Sequence, residues 1–405
     1  MDTYHIYQQE YQNYLLESKR GDKHGFLVEA LLEGTLNGDI LEKKLKPLRK
    51  RNGTADFQLV EVIRVLYFPK VDQEVKDMIN EVLIDFPFWL SKWNDGDSDL
   101  VYWSENHMIC HISSSYLYCQ YQGGVCDEED LLFHYLETKL KFGFYEALSP
   151  VYLPITLSAL LNLVEFSQDD QIQRMSHELV DKIFTDLCYF SLPRNGSLLS
   201  CAGRTYPSYR HSPLKKNIHQ AMRLLIRSEN VSTLPKASRL GDFMASGTRY
   251  SPQYIPPDAT NPTLPQCIEN MTMSHSLRGE DGALDVHYSE RFYPFLMSAG
   301  LYLHPAALEK ILGVLSSTNL WNHSHFRILK VASYIFCCLP FFFPWVLNCL
   351  LMPFNNITCG SSLTDITASV YRTKSVVLSS FQNYNAGQTG FQQTPWMVNI
   401  SSFRL

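Results

Sequence analysis

From residue 55 to residue 190 the apolar residues recur at helical intervals in one segment after another, with only a few polar residues between segments. Ala55–Tyr67 carries Phe57, Val60, Ile63 and Tyr67 on one face, and Gln73–Asp85 carries Val75, Met78, Ile79, Val82 and Leu83. Segments at 104–121, Glu128–Phe142, Pro150–Phe166 and Asp170–Phe190 follow, the last two joined by Ser167-Gln168-Asp169-Asp170. Connections this short force neighbouring helices to run antiparallel. Gly25–Leu36, Asn217–Arg227, Leu284–Leu303 and Pro305–Ser316 extend the series, and the run from Phe326 to Met352 has room for one or two more. The fold class this predicts is mainly α, an array of antiparallel helical hairpins.

Two stretches break the pattern. Leu192–Tyr209 and Gly241–Arg278 are rich in Pro, Gly, Ser, Asn and Tyr and show no helical period, so they read as long loops, either functional or disordered. Beyond Gly360 the texture changes again. Ala368–Arg372, Ser375–Ser379 and Pro395–Ile400 read as short strands, with a turn at Asn385-Ala386-Gly387. The expected organisation is a helical domain over 1–355 and the beginning of a β domain over 360–405.

The net charge of −6 comes without a basic face, which argues against a nucleic-acid partner. The basic run Lys43–Arg51 reads as solvated surface, and residues 1–24 as polar chain without the basic and apolar regions of a secretory leader. The ten cysteines include no C-x-x-C pair, which fits free thiols in a reducing, cytoplasmic compartment. Val331 to Pro353 pulls the other way: it holds no charged residue and is long enough to span a bilayer, with Arg327 and Lys330 just before it. Pro340, Pro344 and Asn348 interrupt it, so a buried core segment is the preferred reading and a single membrane span the alternative.

The chemistry-bearing stretch is Tyr102-Trp103-Ser104-Glu105-Asn106-His107-Met108-Ile109-Cys110-His111. Ser104 is placed to cap a helix, so Asn106 and His107 fall in its first turn, where the helix dipole welcomes an anion and favours a neutral imidazole. Trp103 would add a stacking surface. His107 and His111 share a helix face near Cys110, but no third ligand accompanies them, so no metal is expected. Phe142-Gly143-Phe144-Tyr145-Glu146 and Ser149-Pro150-Val151-Tyr152 form a second cluster, where Glu146 could position His107 and Tyr152 could face a cleft. Cys201-Ala202-Gly203-Arg204-Thr205-Tyr206 offers a guanidinium that can fork a carboxylate and a phenol beside it. Gln393 and Trp396, in the polar, aromatic stretch 387–396, could line a sugar subsite. The phosphate-cradling motif G-x-x-x-x-G-K-S/T, G-x-G-x-x-G and G-x-S-x-G are all absent, and no cofactor is expected.

Tyr102–His107, Gly143–Glu146 with Ser149–Tyr152, Gly203–Tyr206 and the later Tyr371-Arg372-Thr373 to Trp396 segment together resemble a family of large, mostly uncharacterised bacterial and microbial-eukaryote proteins. That family is similar to the (α/α)-toroid polysaccharide lyases and heparinase-like enzymes, which pair a helical toroid with β-sandwich domains. The resemblance covers most of residues 55–400. It implies β-elimination on an acidic, uronate-containing polysaccharide or oligosaccharide. Asn106, with Arg204 assisting, would mask the uronate carboxylate, His107 would be the base, and Tyr206 the acid or an alternative base. Masking matters because a proton α to an ionised carboxylate is only weakly acidic. Trp103, Glu146, Tyr152, Gln393 and Trp396 would bind substrate. The chain departs from the pattern at Ala147, at Thr394 where relatives carry His, at the apolar run 331–353, and at Leu405, beyond which relatives continue into a β domain. A catalytically inactive toroid that binds glycan or acts as a scaffold is therefore the second reading. A glycoside hydrolase using Glu105 and Glu146 is the third.

Overall fold

Asn37 and Asp169 begin two helices as their chemistry requires. Each side chain accepts from two backbone N–H groups of the following turn, with Asp169 Oδ1 at 2.8 Å from both Gln171 N and Ile172 N. The computed structural model describes residues 3–17, 25–34, 36–92, 99–190, 193–194, 197–198, 203–204, 216–225, 238–255, 266–274, 290–298, 305–326, 366–382 and 393–400, with single residues at 330 and 349. The helices are α1 Thr3–Glu17, α2 Phe26–Glu33, α3 Gly38–Arg49, α4 Ala55–Leu66, α5 Gln73–Leu83, α6 Glu105–Tyr121, α7 Glu129–Phe142, α8 Leu153–Phe166 and α9 Asp170–Tyr189. They continue with α10 Lys216–Leu225, α11 Arg239–Ala245, α12 Pro294–Ser298 and α13 Pro305–Ser317. The protein is thus mostly helical, and a small antiparallel sheet closes it.

The central helix is α6, which packs against α4, α7 and α8. It is polar on every side, yet His111, Ser113, Ser114 and Ser115 are as buried as Met108, Ile109, Ile112 and Leu117. A helix surrounded on all sides has no outward face to mark with polar residues, so its pattern carries little amphipathic signal. α1 and α3 add two helices that the sequence reading did not include, while the basic side chains of Lys43, Lys46, Arg49 and Lys50 are exposed as expected. Residues 3–17 are helical and bury Tyr4, Tyr11 and Leu15, and the run Lys43–Arg51 lies largely on α3, whose Leu41, Leu45 and Leu48 face the core. Tyrosines and glutamines hid the first apolar stripe, and a dense basic face hid the second.

The other correction falls in the stretch read as a long loop, Gly241–Arg278. It holds most of α11 and a full strand, β4 Gln266–Ser274. β4 joins β5 Ile366–Arg372, β6 Val376–Gln382 and β8 Trp396–Ile400 in a four-stranded antiparallel sheet of order β4-β5-β6-β8. The strands expected near the C-terminus therefore complete their sheet with one drawn from a hundred residues earlier. Bulges between Ile268 and Met271 and between Thr272 and Ser274 break the alternation that would have announced β4. Two-residue pairings link β1 Pro193–Arg194 to β2 Ser197–Leu198, and β3 Gly203–Arg204 to β7 Gln393–Thr394. The turn expected at Asn385-Ala386-Gly387 and the apolar run 331–353 lie outside the described residues, apart from Cys349. No described helix is long and apolar enough to cross a membrane.

Arg64 organises the buried polar groups. Its guanidinium, 1% exposed, donates to Ser246 Oγ (2.9 Å), Asn162 Oδ1 (2.8 Å) and the Phe243 carbonyl (3.1 Å), and it faces the rings of Phe68, Phe166 and Phe243. Around the same short helix, Gln8 donates to the Met244 and Gly247 carbonyls and Gln12 to the Ala245 carbonyl. Asp242 accepts from the Leu27 and Val28 N–H groups that open α2, and Glu165 accepts from the Thr248 and Arg249 N–H groups. α11 is too short to be stable alone, and the Arg64, Gln8 and Gln12 donors satisfy the carbonyl groups that its C-terminal end leaves open.

Removing a charge from such a network leaves its partners buried and unmatched. Arg64→Met is expected to lower stability by about 3–5 kcal/mol in denaturant titration, and Arg64→Lys should recover only part of this because three forked donors are replaced by a point charge. A pH test is available at Asp186, whose carboxyl burial pushes up to about 6 despite Lys182 at 3.8 Å. The folded protein therefore holds that proton more tightly than the unfolded chain. The resulting stability is complete below about pH 4 and is lost as pH rises through about 6. Asp186→Asn should flatten that part of the stability–pH curve.

Candidate functional site

Ser104 occupies the cap position of α6 through its backbone, since Met108 N–H donates to its carbonyl at 2.8 Å, but its hydroxyl makes no capping bond. The following three residues, Glu105, Asn106 and His107, then leave the helix start in three directions.

Glu105 is buried and ion-paired with Lys139 of α7. Its two oxygens accept from Tyr145 N (3.2 Å) and Glu146 N (2.9 Å), so this side chain fixes the turn after α7. Asn106, 1% exposed, donates from Nδ2 to both carboxylate oxygens of Glu146 at 2.8 and 3.0 Å. His107 turns outward, with Nδ1 2.9 Å from Asp56 Oδ2 and its ring stacked on Phe57 at 4.9 Å. Its side chain keeps 12% of its surface in solvent, while Asp56 keeps none.

The His107 pKa moves in the direction opposite to that expected for an imidazole at a helix N-terminus. Burial alone would lower its pKa. The charge and hydrogen bond of Asp56, with Glu146 behind, outweigh burial and raise it. A His–Asp pair of this kind fixes the ring and supports the imidazolium, which suits proton donation better than proton abstraction. One turn further, His111 lies between Phe86 and Tyr102, and burial pulls its pKa down to about 4, so that ring is neutral. Burial also pushes the Cys110 thiol well up.

The other sequence-derived candidates scatter. Trp103 is 2% exposed and packs against His323 (4.9 Å), His325 (5.5 Å) and Phe326 (4.7 Å), so its ring fills core space rather than offering a platform. Glu146 was expected to position His107 but holds Asn106 directly; the bend that delivers it includes Gly143 at φ 78° and Leu148 at φ 54°. Tyr152 is half-buried at the start of α8, where its N–H donates to Ser149 Oγ. The backbones of Arg204 and Gln393 pair directly across β3 and β7, joining two motifs nearly two hundred residues apart. Trp396, on β8, is 66% exposed. Tyr206 lies outside the described residues. Phe144 N–H donates to the Met273 carbonyl of β4, tying the turn beneath α6 to the sheet.

Asp56 and Lys139 were not anticipated. Both sit in helix end turns whose dipole favours their charge, Asp56 at the start of α4 and Lys139 near the end of α7. That position could have flagged each as a charge looking for a partner, although nothing in the sequence links either to α6. Three carboxylates (Asp56, Glu105, Glu146) and two cationic groups (Lys139, His107) thus meet at the helix start, a balance that does not favour an additional anion. Among the described residues no group of His, Cys, Asp and Glu is arranged to hold a metal ion.

Asp56→Asn removes the charge that supports the imidazolium. The His107 pKa should fall in an NMR titration, and stability should fall most at acid pH. In the wild type a raised pKa contributes stability below the unfolded value of about 6.5, and that contribution disappears as pH rises through the folded-state value. Comparison with family profiles, curated proteins and solved structures gives no match for this chain.

Proposed function

We propose that this protein is a helical-scaffold protein that binds an acidic, uronate-containing glycan without cleaving it, an (α/α)-toroid-like relative of the polysaccharide lyases. The observation that carries the non-catalytic half is the Asn106 amide, which is buried and held by both oxygens of Glu146. An amide engaged in this way cannot also mask a uronate carboxylate, and the surrounding carboxylates would repel one. The toroid is supported by the succession of short-loop helix pairs such as α8–α9.

The binding half rests on the strands. The β3–β7 pairing sets Arg204 opposite Gln393, and Trp396 opens the next strand, paired with Ser380. Tyr371, Leu378 and Val398 form one cross-strand row on the same outward face of the sheet, each between 44% and 48% exposed. Aromatic and aliphatic faces of this kind stack on sugar rings, and a guanidinium recognises the acid group. A cytoplasmic, reducing location belongs to the same proposal and is supported by the buried free thiols Cys110 and Cys188.

A specific feature favours a second reading, retained β-elimination: the His107–Asp56 pair keeps part of its imidazole in solvent. A hydrolase built on Glu105 and Glu146 has no such support, since both carboxylates are buried in internal bonds. Incubation with a panel of acidic polysaccharides separates these readings. Retarded migration in affinity gels, weakened at least tenfold by Arg204→Ala or Trp396→Ala, is expected, with no unsaturated-uronate absorbance. Absorbance that His107→Ala abolishes would establish the lyase instead. Reducing ends released without that absorbance would indicate hydrolysis, and the absence of retardation on every polymer would remove the glycan.

A further inference from the structure

At its C-terminal end the central helix α6 is followed by a tight reversal that returns the chain to the helix's side. Gln122 N–H donates to the Tyr118 carbonyl at 3.0 Å, Gly123 N–H to Gln120 at 3.1 Å and Gly124 N–H to Cys119 at 2.9 Å. Gly123 sits at φ 70°, where a side chain would be strained, which is why glycine makes this turn. The reversal brings Cys126 back beside the helix. Its Sγ is 3.8 Å from Ser115 Oγ and 3.7 Å from Glu128 Oε2. Ser115 and Cys119 are four residues apart on one face of α6, so the Cys126 sulfur that touches Ser115 lies against the face that carries Cys119.

We propose that Cys119 and Cys126 are a redox-reversible modification site, closing to a disulfide that staples the end of α6 to the start of α7. The two differ in a useful way. Cys119 is half-buried and Cys126 is buried, and the neighbouring Cys119 thiol together with burial pushes the Cys126 thiol up. Cys119, the more exposed of the two, is the one a dissolved oxidant reaches and is therefore the attacking group.

With a small disulfide of the glutathione type as oxidant, the Cys119 thiolate attacks one of its sulfurs, breaking the S–S bond and releasing one thiol. Capping Cys119 removes the neighbour that holds the proton on Cys126. The Cys126 proton leaves by way of the Glu128 carboxylate at 3.7 Å, which also accepts from Ser115 Oγ, and passes on to the expelled thiolate. The Cys126 sulfur attacks Cys119 Sγ and expels the second thiol. Two protein thiols are oxidised, one small disulfide is reduced to two thiols, and the two protons end on the leaving groups. Six residues stand between the two cysteines, and the two glycines among them give the turn freedom to adjust to disulfide geometry.

The test is peptide mapping of the full chain after equilibration with oxidised glutathione, acid quenching, unfolding and alkylation. The expected product is a peptide in which Cys119 and Cys126 are joined, lighter by two hydrogens, present in most molecules and reversed by dithiothreitol. In Cys126→Ser the same treatment should leave glutathione on Cys119, and in Cys119→Ser neither product should form. Cys188, buried and remote in sequence, is the internal control. The proposal is overturned if the wild type accumulates a stable glutathione adduct on Cys119, or if both thiols are alkylated as fully as Cys188. Mapping of the wild type decides the matter even if a serine variant fails to fold.

Discussion

A guanidinium with no access to water has to find its hydrogen bonds inside the protein, and the fold is arranged to supply them to Arg64. Its donors reach α8 and the end of α11, and burial lowers its pKa to about 10, still far above neutrality, so the charge persists. Three aromatic rings enclose the cation and Glu165 balances it from nearby. Because the acceptors are largely α11 backbone and the Ser246 hydroxyl, one short helix becomes the meeting point of α1, α2, α4 and α8. Gly247 belongs to the same constraint: a Cβ there would come within 3.3 Å of Arg64 Nη2 and 3.5 Å of Glu165 Oε2. Breaking such a buried ionic network costs more than forming it gains, so its value lies in fixing which surfaces meet.

The start of α6 obeys the same rule on a smaller scale. Buried carboxylates at Glu105 and Glu146 are each matched by donors from a different segment, and the result is a lock between α6, α7 and the turn before α8. A stretch with chemistry-bearing residues at a helix tip can thus serve folding as readily as catalysis. Which of the two it serves depends on whether its donors already have partners. Here Asn106 is engaged and only His107 reaches solvent, with Asp56 supporting its protonated form.

The helices from residue 55 to 190 were legible because each buries one face or is bounded by clear turn residues, and boundaries agree within a few residues. α1 was missed because its buried stripe is built from tyrosines, which read as polar or apolar with equal ease. β4 was missed because bulges spoil the alternation and because its partners lie a hundred residues downstream. The candidate site was half legible. Asn106, His107 and Glu146 were singled out and do lie together, while Trp103 fills the core and the Arg204–Gln393 pair lies in the two-stranded β3–β7 ladder. Asp56, the group that sets the state of His107, had no local signature.

Sequence alone settled what depends on neighbours within a few turns: the helical class, the limits of the helices between residues 55 and 190, and the strands β5, β6 and β8. These follow from side-chain periodicity and backbone geometry, which act over short range. Only the tertiary structure decided which polar residues are sealed and which are wet, which carboxylate meets which cation, and which distant segment completes the sheet. Those outcomes turn on long-range packing, where the cost of burying an unmatched charge selects one partner among many that the sequence permits.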